Sequence, residues 1–175
     1  MAGPTTPLPD GDELGHAAER PLLEGFLAYF RAVLARKAEG LTDDQARTRP
    51  CPPSDLSMLG LVRHMADVER IWAEWLFAGG ENRPIFYGDG HPAGDPDGDF
   101  HPPDGATLDE AFAEYWTRIA VADQIYASTP LDQAQAGGSQ ENSLRWIYVH
   151  LIEEYARHCG HADLIRQAID GATGD

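Results

Sequence analysis

The most informative stretch of the sequence is HLIEEYARHCGH, residues 150–161. It has the composition of a helix and contains neither proline nor glycine before Gly160. Its polar stripe consists of His150, Glu154, His158 and His161. These positions step by four, four and three, so their side chains share roughly one quarter of a helix circumference. Imidazole nitrogen and carboxylate oxygen are the usual donors to zinc, nickel and iron, so the stretch predicts a helix that presents metal ligands.

The stripe lies at the edge of the apolar face of this helix. At about 100° per residue, Glu154 and His158 project close to that face. The apolar positions are Ile147, Leu151, Ile165 and Ile169, and the opposite side carries Arg145, Glu153, Asp163 and Gln167. An unpaired carboxylate at the core edge is costly, and a bound metal would remove that cost. The alternative is a capped, solvated patch without a metal.

A further histidine lies on a second helical segment, residues 57–75. Here His64 occupies the middle of an apolar face formed by Leu61, Val68, Ile71, Trp72 and Trp75. The same periodicity turns Arg63, Asp67, Arg70 and Glu74 away from that face. A lone histidine in this position is more often a hydrogen-bonded core residue. Together with Glu154 and His158, however, it gives three ligands and an open position, which is the arrangement of a catalytic metal site.

Composition limits the class of protein. A chain of 175 residues suits one domain with a substantial core. A formal charge of -16 argues against nucleic acid or an anionic membrane as a partner. With no apolar run of about 20 residues and no signal peptide, the chain is expected to be cytoplasmic. We expect residues 1–18 to be a disordered lead-in, residues 19–171 the domain, and residues 172–175 a tail.

The two cysteines do not form a disulfide framework. Cys159 directly follows His158, which invites a role as nucleophile or ligand. Adjacent helical residues point about 100° apart, however, so we expect Cys159 on the exposed side of the helix, without a direct role.

Four long helical segments predict an all-α, four-helix bundle. They cover residues 21–39, 58–78, 107–128 and 144–169. Thr107 and Glu110 form a capping-box pattern, and Gly171 is a plausible stop. Residues 85–87 are the only candidate for a strand, and they are few.

The connection from residue 79 to 106 is rich in Gly, Pro and Asp and longer than an ordinary bundle loop. It is either a lid over a site or a flexible excursion. Residues 95–99 resemble the start of a calcium loop, but the sixth and twelfth positions are Phe100 and Ala106, so the pattern fails. His91 and His101 lie in this connection, and their spacing does not place them at the metal.

The sequence resembles the DinB-like metal-binding four-helix bundles. The similarity rests on LVRHMADVE, residues 61–69, and on EEYARHCGHADLIR, residues 153–166, followed by Ile169-Asp-Gly171. It covers roughly residues 21–171. More narrowly, it points to the actinobacterial branch of this superfamily, related to mycothiol-dependent maleylpyruvate isomerase.

This resemblance implies a divalent metal between helices two and four. The ligands carried over are His64, Glu154 and His158, a set like that of the isomerase, with zinc the expected metal and nickel or iron as alternatives. His161 is then a pocket-lining or second-shell residue, and Trp72 and Trp75 line the pocket. The family also implies a mycothiol-type thiol cosubstrate and a homodimer, for which Trp116 and Trp146 are candidates if they are not in the core.

Three functions follow from these observations. The first is a metal-dependent enzyme that activates a low-molecular-weight thiol for transfer to, or isomerisation of, a small electrophile. The second is a metal-dependent hydrolase that activates water. The third is a non-catalytic, stress-related bundle that binds metal. Glu69, Asp67, Tyr155 and Arg157 are additional candidates only by proximity.

Overall fold

The computed structural model describes residues 12–86 and 95–174. Within these ranges the chain is helical, and its only bridge is an isolated antiparallel pair between Ala134 and Ser143. The predicted all-α class is therefore confirmed. The helices are a short 3-10 helix (Asp12–His16), α1 (Glu19–Ala38), α2 (Asp43–Arg47), α3 (Met58–Arg70), a π-helix (Ile71–Phe77), α4 (Leu108–Tyr126) and α5 (Leu144–Asp170).

The four long helices begin and end close to their predicted positions. The second differs in one respect, because α3 continues after Arg70 as a π-helix over residues 71–77. The two short helices were not expected, and the 3-10 helix lies within the predicted lead-in. Ile85 and Phe86, part of the strand candidate, form a bend. Tyr87 and His91 lie outside the described residues.

Local signals set the helix ends. The predicted capping box is present at the start of α4, where Thr107 accepts from the Glu110 backbone and the Glu110 side chain accepts from Thr107. At the far end of α5, Gly171 has a φ of +80°, a left-handed conformation that glycine adopts without steric cost.

One compact unit contains the described residues up to Met58 and those from Tyr148 onward. Its core includes Leu27 and Leu34 of α1 and Leu151, Tyr155 and Ile165 of α5, all almost fully buried. Polar contacts join the same helices: Arg166 donates to the backbone carbonyls of Lys37 and Glu39 at 2.9 and 2.7 Å. Of the apolar face predicted for the last helix, Leu151 and Ile165 are buried and Ile169 is half-buried.

Cys159 corrects one prediction in this unit. It is 5% exposed rather than on the solvent side, and its thiol donates to the Phe30 carbonyl at 3.6 Å. The reason is that α1 also packs against the side of α5 that carries Cys159. Burial, with the nearby Asp163 carboxylate, raises the pKa of the Cys159 thiol to about 12.

The second compact unit contains Leu59–Ile147. Its core includes Leu61, Met65, Tyr115, Tyr126 and Ile147, each no more than 1% exposed. The connection between the π-helix and α4 packs against α3, where the backbone of Phe100 passes so close to Gly60 that a Cβ would lie 2.4 Å from its carbonyl oxygen. Gly60 therefore permits this approach.

The charged side of α3 corrects a second prediction. Arg63, Asp67 and Arg70 are 6%, 1% and 4% exposed, although the periodicity places them on the solvated face. The two ends of the 79–106 connection cover this face and supply its hydrogen-bond partners. Arg63 donates to the carbonyls of Gly98 and Asp99, and Asp67 accepts from backbone N–H groups after Pro84.

Trp116 and Trp146 are each 43% exposed. Trp146 packs against Trp72, with ring centroids 5.3 Å apart. Among the described residues, no helix is long and apolar enough to cross a membrane.

Candidate metal centre

Glu154 and His158 lie on consecutive turns of α5. Glu154 Oε2 is 3.4 Å from His158 Nε2. His158 is buried and Glu154 is half-buried, and the intervening Tyr155 is fully buried in the core. Core packing therefore fixes the helix rotation that brings an imidazole nitrogen and a carboxylate oxygen to one place. This is a donor pair that divalent transition metals accept.

The Glu154 carboxylate is held from its other side. Arg157 Nη1 donates to Glu154 Oε1 at 2.7 Å, and the same guanidinium also pairs with Glu153. The arginine thus orients one carboxylate oxygen while the other faces His158.

The two remaining histidines of the stripe flank this pair. His161 Nδ1 lies 3.4 Å from His158 Nδ1, and the two rings meet edge to face. On the other side, His150 Nε2 lies 3.9 Å from Glu154 Oε1. Desolvation is the main cause that lowers the pKa of His150, while Glu154 opposes this effect and Arg157 adds to it. All four members of the predicted stripe therefore lie side by side on α5.

His64 lies on α3 in the second unit and is partly buried. Its Nδ1 is 2.7 Å from Oδ2 of Asp99, and its ring stacks on Phe100 with centroids 4.1 Å apart. The sequence predicted His64 but not Asp99. The only signal was the acidic run at residues 95–99, which had been considered as a calcium loop.

The carboxylate of Asp95, at the start of that run, has partners within the loop. Asp95 Oδ2 lies 2.5 Å from His101 Nδ1, and Asp95 Oδ1 accepts from the Asp97 backbone at 2.9 Å. Within this unit His101 therefore pairs with Asp95, whereas His64 pairs with Asp99.

Trp72 and Trp75, the expected pocket residues, lie on the π-helix that continues α3. Both are half-buried. A π-helix is rare and shifts the side chains that follow it relative to α-helical spacing, and such segments occur frequently at functional sites. The shift could not be read from the sequence, because residues 71–77 continue a helical pattern without a break.

Of the four residues that were candidates only by proximity, three are buried. Glu69 and Tyr155 are both 0% exposed. Asp67 is nearly as buried, and its main contacts are with backbone N–H groups of residues 85 and 86. Arg157 differs from these because it touches Glu154 directly.

These features define an all-α protein with groups of His and Glu side chains that could hold a metal ion, one of them formed by His150, Glu153 and Glu154. The sequence profile of the mycothiol-S-transferase family matches residues 22–171. The chain belongs to this family, which confirms the predicted membership of the DinB-like actinobacterial branch. The name of the family supports the interpretation of the protein as a mycothiol-dependent transferase. Among curated proteins, none matches the sequence.

Proposed function

We propose that His64, Glu154 and His158 bind one divalent cation, most suitably zinc, and that the protein transfers a mycothiol-type thiol to a small electrophile. The observation that carries this proposal is the Glu154–His158 pair on α5, with donor atoms 3.4 Å apart, in a chain of the mycothiol-S-transferase family. Two imidazoles and one carboxylate leave coordination positions for a substrate atom.

The donor set fits a divalent metal. His158 is buried, and Glu154 has one oxygen directed to it and the other held by Arg157. His64 has Nδ1 directed to a carboxylate, so Nε2 is the nitrogen that would coordinate. When bound, a divalent cation lowers the pKa of a coordinated thiol, so that the thiol is held as the reactive thiolate.

The other residues of the proposed site have separate tasks. Arg157 holds the Glu154 carboxylate in place through its contact with Oε1. The half-buried indoles of Trp72 and Trp75 supply apolar surface, which excludes water and favours attack by sulfur over hydrolysis. Cys159 does not compete as a nucleophile, because it is buried and its thiol has a pKa of about 12.

Turnover of a chromogenic aryl halide by the zinc-loaded protein tests the proposal, with mycothiol as the varied thiol. We expect consumption that depends on mycothiol and is lost in His64→Ala, Glu154→Gln and His158→Ala. His101→Ala is the matched control, because it removes an imidazole of the second unit whose Nδ1 lies 2.5 Å from Asp95 Oδ2 in the same loop.

Two outcomes would contradict the proposal. Turnover with water and no thiol would indicate a metal-dependent hydrolase instead. Zinc-loaded protein that binds neither mycothiol nor the electrophile would indicate a non-catalytic metal-binding protein.

A further inference from the structure

We propose that Asp99 is a positioning residue that fixes the tautomer and the orientation of His64. The inference rests on the proposed function where it concerns metal binding. The tautomer itself is independent of that function. All of the contacts that carry it lie within the unit formed by Leu59–Ile147.

The Asp99 carboxylate is buried, and both of its oxygens are engaged. The side chain is 7% exposed. Oδ2 lies 2.7 Å from His64 Nδ1, and Oδ1 accepts from the Phe100 backbone N–H at 3.0 Å. The residue therefore cannot turn away from His64 without giving up a second hydrogen bond.

The backbone on either side of Asp99 is fastened to α3. Arg63, which precedes His64, donates from Nε to the Asp99 carbonyl at 3.1 Å and from Nη2 to the Gly98 carbonyl at 3.0 Å. The Arg63 guanidinium is in turn covered by Phe86, whose ring centroid is 4.1 Å away. Two neighbouring residues of α3 therefore contact Asp99: Arg63 holds its backbone carbonyl, and His64 contacts its carboxylate.

Phe100 completes the enclosure of the imidazole. Its ring lies nearly parallel to that of His64, at 4.1 Å and 21°. Its backbone rests on Gly60, one helical turn before His64, where no Cβ could be accommodated. The imidazole is therefore restrained in its plane by Asp99 and across its face by Phe100.

The chemical consequence concerns the proton of the ring. An ionised carboxylate only accepts hydrogen bonds, so the Nδ1 that faces it carries the proton. The lone pair of the neutral imidazole is then on Nε2. A histidine ligand that donates its other N–H to a carboxylate is the common arrangement at metal sites, and it raises the basicity of the coordinating nitrogen.

The same loop contains a matched control. Asp95 forms a second Asp–His pair with His101, at 2.5 Å, but both partners are more exposed, with side chains 26% and 31% accessible. Asp95→Ala therefore removes a comparable carboxylate from the loop without touching His64.

The first test reads the tautomer in the metal-free protein by long-range nitrogen–proton NMR, at a pH where His64 is neutral. We expect the Nδ1–H tautomer in the wild type and in Asp95→Ala, and a shift towards Nε2–H in Asp99→Ala. Asp99→Asn, with one acceptor oxygen for two N–H donors, should lie between them. It also keeps the test valid if Asp99→Ala fails to fold. A wild-type Nε2–H tautomer, or an unchanged tautomer in both Asp99 variants, would overturn the inference.

The second test measures affinity for cobalt(II) by its visible absorption in the same proteins. We expect Asp99→Ala to weaken binding by about 10- to 100-fold and Asp95→Ala to leave it unchanged. Equal affinity in Asp99→Ala and wild type would refute the positioning role. Failure of every protein to bind cobalt, with the tautomer pattern as expected, would count against the proposed metal site and leave the role of Asp99 in orienting His64 intact.

Discussion

The carboxylate of Asp67 accepts a hydrogen bond from the backbone N–H of Ile85 at 2.8 Å. It also accepts from the Phe86 N–H at 3.0 Å, and Arg70 Nε lies 3.4 Å from it. Asp67 is 1% exposed. A single buried side chain of α3 thus holds the start of the long connection, on the helix that carries His64.

Removal of this carboxylate should be strongly destabilising. Asp67→Ala leaves two backbone donors and the buried Arg70 without their acceptor, so we expect a loss of about 3 to 5 kcal/mol in the free energy of unfolding. Denaturant titration measures it. The exposed Asp97 is the control, and Asp97→Ala should change stability by less than about 0.5 kcal/mol. Equal effects of the two substitutions would contradict the role of Asp67 in holding the long connection.

The stability contributed by Asp67 should also depend on pH. Desolvation raises its pKa above the ordinary value, although its hydrogen bonds and Arg70 oppose this. A raised pKa means that the folded state favours the neutral acid. The proton-linked part of the stability, which is separate from the hydrogen bonds and the Arg70 contact, is therefore fully present below the pKa of the unfolded chain and is lost as pH rises through the folded pKa. Denaturation of wild type and Asp67→Asn between about pH 4 and 7 tests this. The wild type should lose stability relative to the variant as pH increases, and the opposite trend would show that the hydrogen bonds outweigh desolvation.

Two helical glycines should respond to alanine in opposite directions. In α3, a Cβ on Gly60 would lie 2.4 Å from the Phe100 carbonyl oxygen, whereas in α5 a Cβ on Gly160 would meet nothing within 4 Å. Gly160→Ala should gain up to about 1 kcal/mol from helix propensity. Gly60→Ala should lose about 1 to 3 kcal/mol through overpacking and should disturb the stacking of Phe100 on His64. Thermal denaturation of both variants decides this, and a stabilised Gly60→Ala would mean that Phe100 does not rest on α3.

The two thiols should differ in reactivity. Cys159 is buried with a pKa of about 12, whereas Cys51 is half-buried. We expect Cys159 to react with a disulfide reagent more than about tenfold more slowly than Cys51 in the folded protein. Labelling of Cys51→Ser, which leaves only Cys159, isolates the slow reaction. Rapid labelling of that variant would restore Cys159 as a candidate nucleophile.

Helical periodicity was sufficient to predict the long helices and the stripe on α5. The stripe could be predicted because its members are three or four residues apart on one helix, where backbone geometry alone brings them together. Glu154 and His158 are the clearest example. The capping box at Thr107 is equally local, and it too was predicted correctly.

The surroundings of His64 could not be predicted in the same way. Asp99 is 35 residues away in a connection without regular structure, so no periodicity relates the two. For the same reason Arg63 and Asp67 were placed on a solvated face: the sequence shows which side of a helix is charged, but not which loop covers it. Cys159 was misplaced because the angle between adjacent residues does not show how much of the circumference α1 buries.

Binding of a metal by His64, Glu154 and His158 is best tested by the metal content of protein purified without a histidine tag, measured by mass spectrometry beside His158→Ala and His101→Ala. The proposed three-ligand site predicts near-stoichiometric divalent metal in the wild type and in His101→Ala, and its loss from a folded His158→Ala. Folded wild-type protein that contains no metal and takes up neither zinc nor nickel would contradict it, as would metal retained in full by His158→Ala.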